Sequence, residues 1–353
     1  MTRFNAEMLV LAREVRAFSQ EELATRADIS QSKLSKLEAG LLIPSDDDLE
    51  RLAKSLGFPI EFFMYSGRRA APGSSCIYHR KRQSLPVREL KRIHAQMDYL
   101  RIQIEQLLVG VDIKTPEAIY RIDADAFDGD AARIAKTIRQ SWGIPAGPID
   151  NLIGAIENAG GIVVKASFGT DKIDAISQWA KGLPPIFFVN SDAPGDRMRF
   201  SLCHELGHVI MHAIPTGDLE SQADEFAAEF LLPETDILPE LSGQLNIQKL
   251  AALKPRWKVS MQAMARRAMN LGTLTQRQYV QIFMIMGKMG WRKREPVTIE
   301  QETPRILKTI AEVYLNQGYS FEDLRRKTFS RENDECSTIQ AAIRPENRIR
   351  LVQ

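Results

Sequence analysis

Residues 199–212, RFSLCHELGHVIMH, hold three of the chain's five histidines. His204 and His208 stand four positions apart, so on a helix both imidazoles leave the same face. Glu205 lies beside the first, placed to reach an attacking water rather than the metal itself. This is the H-E-x-x-H spacing, with Leu206 and Gly207 in the middle. Two histidines do not complete a catalytic zinc site, which takes three protein ligands. Downstream, HAIPTGDLESQADEFAAEFLLP puts Glu220 twelve residues after His208 on a second predicted helix, with Asp224 one turn further. A ligating carboxylate followed by an acid at i+4 suits a His₂Glu site, because the second acid can accept the N–H of a ligating histidine. The bland reading is a helix whose paired histidines are satisfied by hydrogen bonds.

His212 lies one further turn along the face of His208 and reads as a neighbour of the site or a helix-end residue. The extended H-x-x-G-x-x-H motif would need a histidine where Ile214 stands. Cys203 sits about 100° round the helix from His204, which points to a small buried role. The histidine helix is expected to begin at Arg199 or Phe200, after a loop SDAPGDRMRF. Before it, DAARIAKTIRQSWG and PIDNLIGAIENAGG read as helices, and GIVVKA, DAISQWA and PIFFVN as strands. The strand around Ile186–Val189 could pair with an extended substrate by strand addition.

The first 65 residues carry different signals. Ser19 and Glu22 have capping-box spacing, and a turn at Asp28-Ile29 leads into QSKLSKLEAG. There Leu34 and Leu37 face inward, while Gln31, Ser32, Lys33, Ser35 and Lys36 point outward. Two short helices with such an outer face suit insertion into a major groove. A plain helical bundle, or the same fold kept for protein contacts, are the alternatives. From Ser66 to Arg92 there are eight Lys or Arg and one acid, as a linker making phosphate contacts, or simply a solvated one, would have. Leu90, Ile93, Met97, Leu100, Ile104 and Leu107 then form a short a/d seam, which packs on its own chain or on a dimer partner.

Two resemblances follow from these residues. SQEELATRADISQSKLSKLEAG resembles the XRE (lambda-repressor-like) helix-turn-helix family over residues 4–64. That implies double-stranded operator DNA as partner, Gln31, Ser32 and Lys36 facing bases, and Gln20 and Ser35 nearer phosphates. DAISQWA, PPIFFVNSDAPGDRMRFSLCHELGHVIMH and ESQADEFAAEFLLP resemble the ImmA/IrrE metallopeptidases over about residues 130–290. That implies a zincin-like domain with Zn²⁺ (Mn²⁺ or Fe²⁺ also accepted) on His204, His208 and Glu220, Glu205 acting on water, and a helix-turn-helix repressor as substrate. The family more often has Ala where Cys203 stands and Asn where Asp224 stands.

The expected fold is mainly α with a small β-sheet (α+β). Expected domains are 1–65 for DNA binding, 66–125 for the basic linker and amphipathic helix, 126–290 for the peptidase and 291–353 for a helical extension. IQKLAALKPRWKVSMQAMARRAMNLGTLTQRQY reads as two helices capping the peptidase, with Ser260 as N-cap and Arg266 and Arg267 outward. Three scattered cysteines, no signal peptide and no apolar stretch near bilayer length point to the cytoplasm. Three functions compete. One is a homodimeric regulator that cuts a partner repressor or itself in a stress or mobile-element response. Another is a transcription factor whose peptidase-like domain senses a metal or ligand. The last is a non-catalytic zinc protein used in assembly.

Overall fold

The computed structural model describes residues 4–67, 85–113, 115, 118–212, 218–292 and 294–330. The basic segment 68–84, Cys76, Cys336 and residues 331–353 lie outside the described residues. The chain is mainly helical with one small sheet, and it divides into two compact units. Among the described residues no helix is long and apolar enough to cross a membrane.

The first unit opens with α1 (Ala6–Val15), α2 (Gln20–Arg26), α3 (Gln31–Glu38) and α4 (Asp46–Leu56). Local capping starts each helix. Ser19 and Glu22 close a capping box on α2, Ser30 caps α3, and Ser45 with Asp48 closes a second box on α4. Asp28 takes a left-handed conformation (φ 52°) that acids tolerate, turning α2 into α3. Leu23, Leu34, Leu37 and Leu52 are fully buried between them. The following α5 (Val87–Leu108) packs on α1, and its seam residues Ile93, Met97, Leu100, Ile104 and Leu107 have no exposed surface. That stripe is spent inside the chain, so it offers no dimer seam.

The second unit holds α6 (Ala131–Ser141), α7 (Leu152–Asn158), β1 (Ile162–Ala166), β2 (Ala175–Gln178) and β3 (Ile186–Asn190). The strand order is β1-β3-β2, with β3 parallel to β1 and antiparallel to β2. This corrects one expectation. Both sides of β3 are already paired, so Ile186–Val189 cannot receive an added strand. The histidine helix α8 (Gly195–Met211) also begins four residues before Arg199. Pro194 sets the N-cap, Asp196 suits the first turn, and the backbone of Ile299 and Glu300 crosses so closely that a Cβ on Gly195 would meet it at 2.4–2.6 Å. After α9 (Leu219–Leu231) come α10 (Glu234–Leu241), α11 (Ile247–Trp257), α12 (Met261–Asn270) and α13 (Gln276–Lys288). Ser260 caps α12 as expected, but Arg267 is buried and not outward. It pairs with the buried Glu229 and donates to the Leu232 carbonyl at 3.1 Å.

A strap at 295–304 closes this unit. Glu295 accepts from Lys254 at 2.7 Å and from Met261 N–H at 2.9 Å, while Glu302 accepts from Ile153 N–H at 2.7 Å and pairs with buried Arg199. The chain then re-enters the first unit as α14 (Ile306–Asn316) and α15 (Phe321–Lys327), both packed on α5. Phe329 joins the aromatic cluster there, 5.6 Å from both Phe62 and Tyr65, and its carbonyl accepts the Tyr99 hydroxyl at 3.0 Å.

The first unit is therefore completed by residues from the far end of the sequence. Phe329→Ala should lower its stability by about 2 kcal/mol, less than the roughly 3–5 kcal/mol of a fully buried aromatic because the ring is half-buried. Urea unfolding followed in that unit checks this, and an unshifted midpoint would show that Phe329 packs without consequence. Cys203 has no exposed surface, and burial pushes its thiol well above the usual range. Mass mapping after alkylation should find Cys203 unmodified in native protein and modified in denaturant; native modification contradicts the placement.

Candidate functional site

The site begins with a glycine. A Cβ on Gly207 would lie 3.1 Å from the Phe226 ring, so only glycine lets α9 approach α8 this closely without displacing that ring. Phe226 stacks on Phe230 at 5.5 Å, and Phe230 meets Trp142 edge-on at 5.8 Å, which anchors α9 on α6. Close packing at Gly207 sets the start of α9 over the face that carries His204 and His208.

On that face the two Nε2 atoms are 3.0 Å apart, and both imidazoles are buried. Glu220 reaches them from α9, its carboxylate oxygens 3.3 Å from His208 Nε2 and 3.7 Å from His204 Nε2. One donor atom from each of the three lies within 4.8 Å of the others. Asp224, one turn after Glu220, accepts from His204 Nδ1 at 2.8 Å. A carboxylate cannot donate, so Nδ1 carries the proton and the neutral ring turns its Nε2 lone pair toward the shared point. Burial lowers the His204 pKa, but the Asp224 hydrogen bond and the charges of Glu205, Asp224 and Glu220 outweigh it and hold it above the usual value. Two imidazoles and one carboxylate facing a common point are a borderline-soft donor set of the kind that takes Zn²⁺.

Glu205 is buried on the adjacent side of α8. Its Oε2 accepts from the Ser177 N–H at 3.0 Å and from the Ser177 hydroxyl at 2.6 Å. Ser177 was not singled out in the sequence, because a serine in a four-residue strand 28 positions away carries no local signal. Asn190 N–H donates to the Asp174 carbonyl at 2.8 Å. Antiparallel alternation therefore turns the Ile176 and Gln178 backbone toward β3, and the Ala175 and Ser177 backbone toward the outer side of β2. The outer edge of β2 thus runs beside Glu205. His212 caps α8 between His208 and Gln222, and burial pushes its pKa down to about 4.

In the first unit, Gln31, Ser32 and Lys36 are exposed on α3, while Lys33 and Ser35 are half-buried. Gln31 donates to the Gln20 side-chain oxygen at 3.1 Å, and Gln20 donates to Glu38 at 2.8 Å, beside the Arg13–Glu38 pair. These bonds hold the Gln31 amide in one orientation. Lys33 is drawn back to Asp48 at 2.6 Å, and that hydrogen bond holds the Asp48 carboxyl well below its ordinary range.

No curated protein matches the sequence. Residues 7–61 match a helix-turn-helix domain, and residues 157–269 match the IrrE N-terminal-like domain, a peptidase family. The chain therefore joins a helix-turn-helix domain, which implies DNA binding, to an IrrE N-terminal-like domain with a metallopeptidase-like fold.

Proposed function

We propose that this protein is a DNA-binding transcriptional regulator whose second unit is a zinc-dependent endopeptidase. The observation that carries the reading is the convergence of His204, His208 and Glu220 within 4.8 Å, with Glu205 beside them against the edge strand β2. These three residues would hold the ion. A divalent ion there supplies Lewis acidity, making a nearby water acidic and the scissile carbonyl electrophilic. Mn²⁺ or Fe²⁺ fits the same donors.

Glu205 takes the water's proton and passes it to the leaving amine. Ser177 holds that carboxylate in place through its N–H and its hydroxyl. The favoured substrate is a helix-turn-helix repressor, including a second copy of this chain. A homodimer on paired half-sites fits a reader of this kind. It must use a surface other than the α5 seam, which is covered.

Residues 4–65 contain eleven acids and seven Lys or Arg. Phosphate attraction therefore falls to the basic segment 66–92, and α3 contributes direction rather than bulk charge. Gln31, Ser32 and Lys36 are assigned to bases, with Gln20, Lys33 and Ser35 supporting the phosphate side.

The sensor reading keeps one observation in its favour. Glu205 binds Ser177 twice, so it also serves to clamp α8 to β2. Glu205→Gln separates the two readings, because glutamine retains an acceptor for Ser177 but cannot take a proton. Zinc-loaded protein incubated with candidate repressors should cut one, and the variant should lose 10²–10⁴-fold of that rate with zinc and DNA binding intact. Uncut repressors with DNA binding retained would leave the sensor. On the DNA side, Gln31→Ala should relax discrimination at one base pair by about 1–3 kcal/mol in a binding-site selection. A uniform loss across all sequences would instead place Gln31 on the backbone.

A further inference from the structure

His212 has no part in the mechanism above, yet its ring is held at both ends. Its Nε2 lies 3.0 Å from the Gln222 side-chain oxygen, and its Nδ1 lies 2.8 Å from His208 Nδ1. Gln222 belongs to α9, between Glu220 and Asp224, so one turn of that helix touches both imidazoles of the centre.

The proton positions follow from donors and acceptors. An amide oxygen only accepts, so His212 Nε2 carries hydrogen. A neutral imidazole has one N–H, which makes His212 Nδ1 an acceptor. The hydrogen between the two rings then belongs to His208 Nδ1. His208 is left with its Nε2 lone pair facing His204 Nε2 and Glu220, 3.0 Å and 3.3 Å away. The opposite amide orientation would reverse every donor and point a His208 proton into the centre, where no ion could then bind.

We infer that Gln222 and His212 form a hydrogen-bond relay that fixes His208 in its ligating tautomer, as Asp224 does directly for His204. His212 is a positioning residue, not a ligand. The inference rests on the metal-centre reading and adds to it an outer partner for the second histidine. Such partners set ring orientation and raise ligand basicity. The two ligating histidines differ in kind: one is backed by a carboxylate that can balance charge, the other by a neutral chain.

The test is Zn²⁺ affinity of the full chain, measured by competition with a chromophoric chelator. His212→Asn keeps an oxygen where Nδ1 stood, whereas His212→Leu has the same size and no acceptor. The leucine variant should bind Zn²⁺ about 10- to 100-fold more weakly, and the asparagine variant within about threefold of the parent. In protein labelled with ¹⁵N-histidine and loaded with Zn²⁺, the proton should sit on Nδ1 of His208 and on Nε2 of His212. Equal affinities for the two variants, or a proton on Nδ1 of His212, overturn the relay. If the leucine variant does not fold, Gln222→Met removes the terminal acceptor from a half-buried position and should weaken binding in the same sense. His204→Ala keeps the outcomes apart. Zn²⁺ uptake that survives this change removes the metal centre and the relay together. Uptake abolished by it but indifferent to Asn or Leu at 212 removes the relay alone.

Discussion

Everything at the candidate centre depends on how closely α9 lies against α8 at Gly207. A β-carbon on Gly207 would lie 3.1–3.3 Å from the Phe226 side chain, so the ring would have to give by a few tenths of an ångström. Glu220 is nearly two turns before Phe226, and the helix carries that contact forward to the imidazoles. A wider spacing of even a methyl group would be felt along α9, because close-packed interiors transmit small displacements instead of absorbing them. The packing residue inside the H-E-x-x-H motif is thus as much a part of the donor geometry as the donors.

The same helix is fixed at its start by a different device. The strap at 295–304 crosses Gly195, and its half-buried Glu302 pairs with the buried Arg199. Removing one partner would leave an uncompensated charge in the interior, which costs several kcal/mol. The residues that follow the strap return to the first unit and place Phe329 among Phe62, Tyr65 and Tyr99. The second unit is therefore an insertion in the chain of the first. The first unit thus draws contacts from residues on both sides of the inserted unit.

Sequence reading succeeded where the signal was local. The spacing of His204 and His208, the caps at Ser19 and Ser260, and the three short strands are all set by residues within a few positions of one another. Sequence reading failed where the partner was distant. The central place of β3 depends on β1 and β2 choosing its two sides. The burial of Arg267 depends on Glu229, 38 residues away, and the start of α8 depends on a strap a hundred residues later. The α5 seam looked identical to a dimer interface because an a/d stripe does not reveal which surface will cover it. Ser177 and Gln222 carry no motif at all; only their distances to Glu205 and His212 single them out.

Charge bears on which half of the chain sets DNA affinity. With eleven acids against seven bases in residues 4–65, the helix-turn-helix unit as a whole repels a polyanion at long range. Its reading face is kept workable by internal pairing: Lys33 answers Asp48, and Arg13 with Gln20 answers Glu38. These bonds neutralise acids that would otherwise lie near phosphate, and in doing so they orient Gln31. On the proposed reading, attraction comes from the eight Lys and Arg of residues 66–92, of which Arg88, Lys91 and Arg92 lie on the first turns of α5. A reader whose attraction and discrimination lie in separate segments loses affinity, but not sequence preference, when the basic segment is cut.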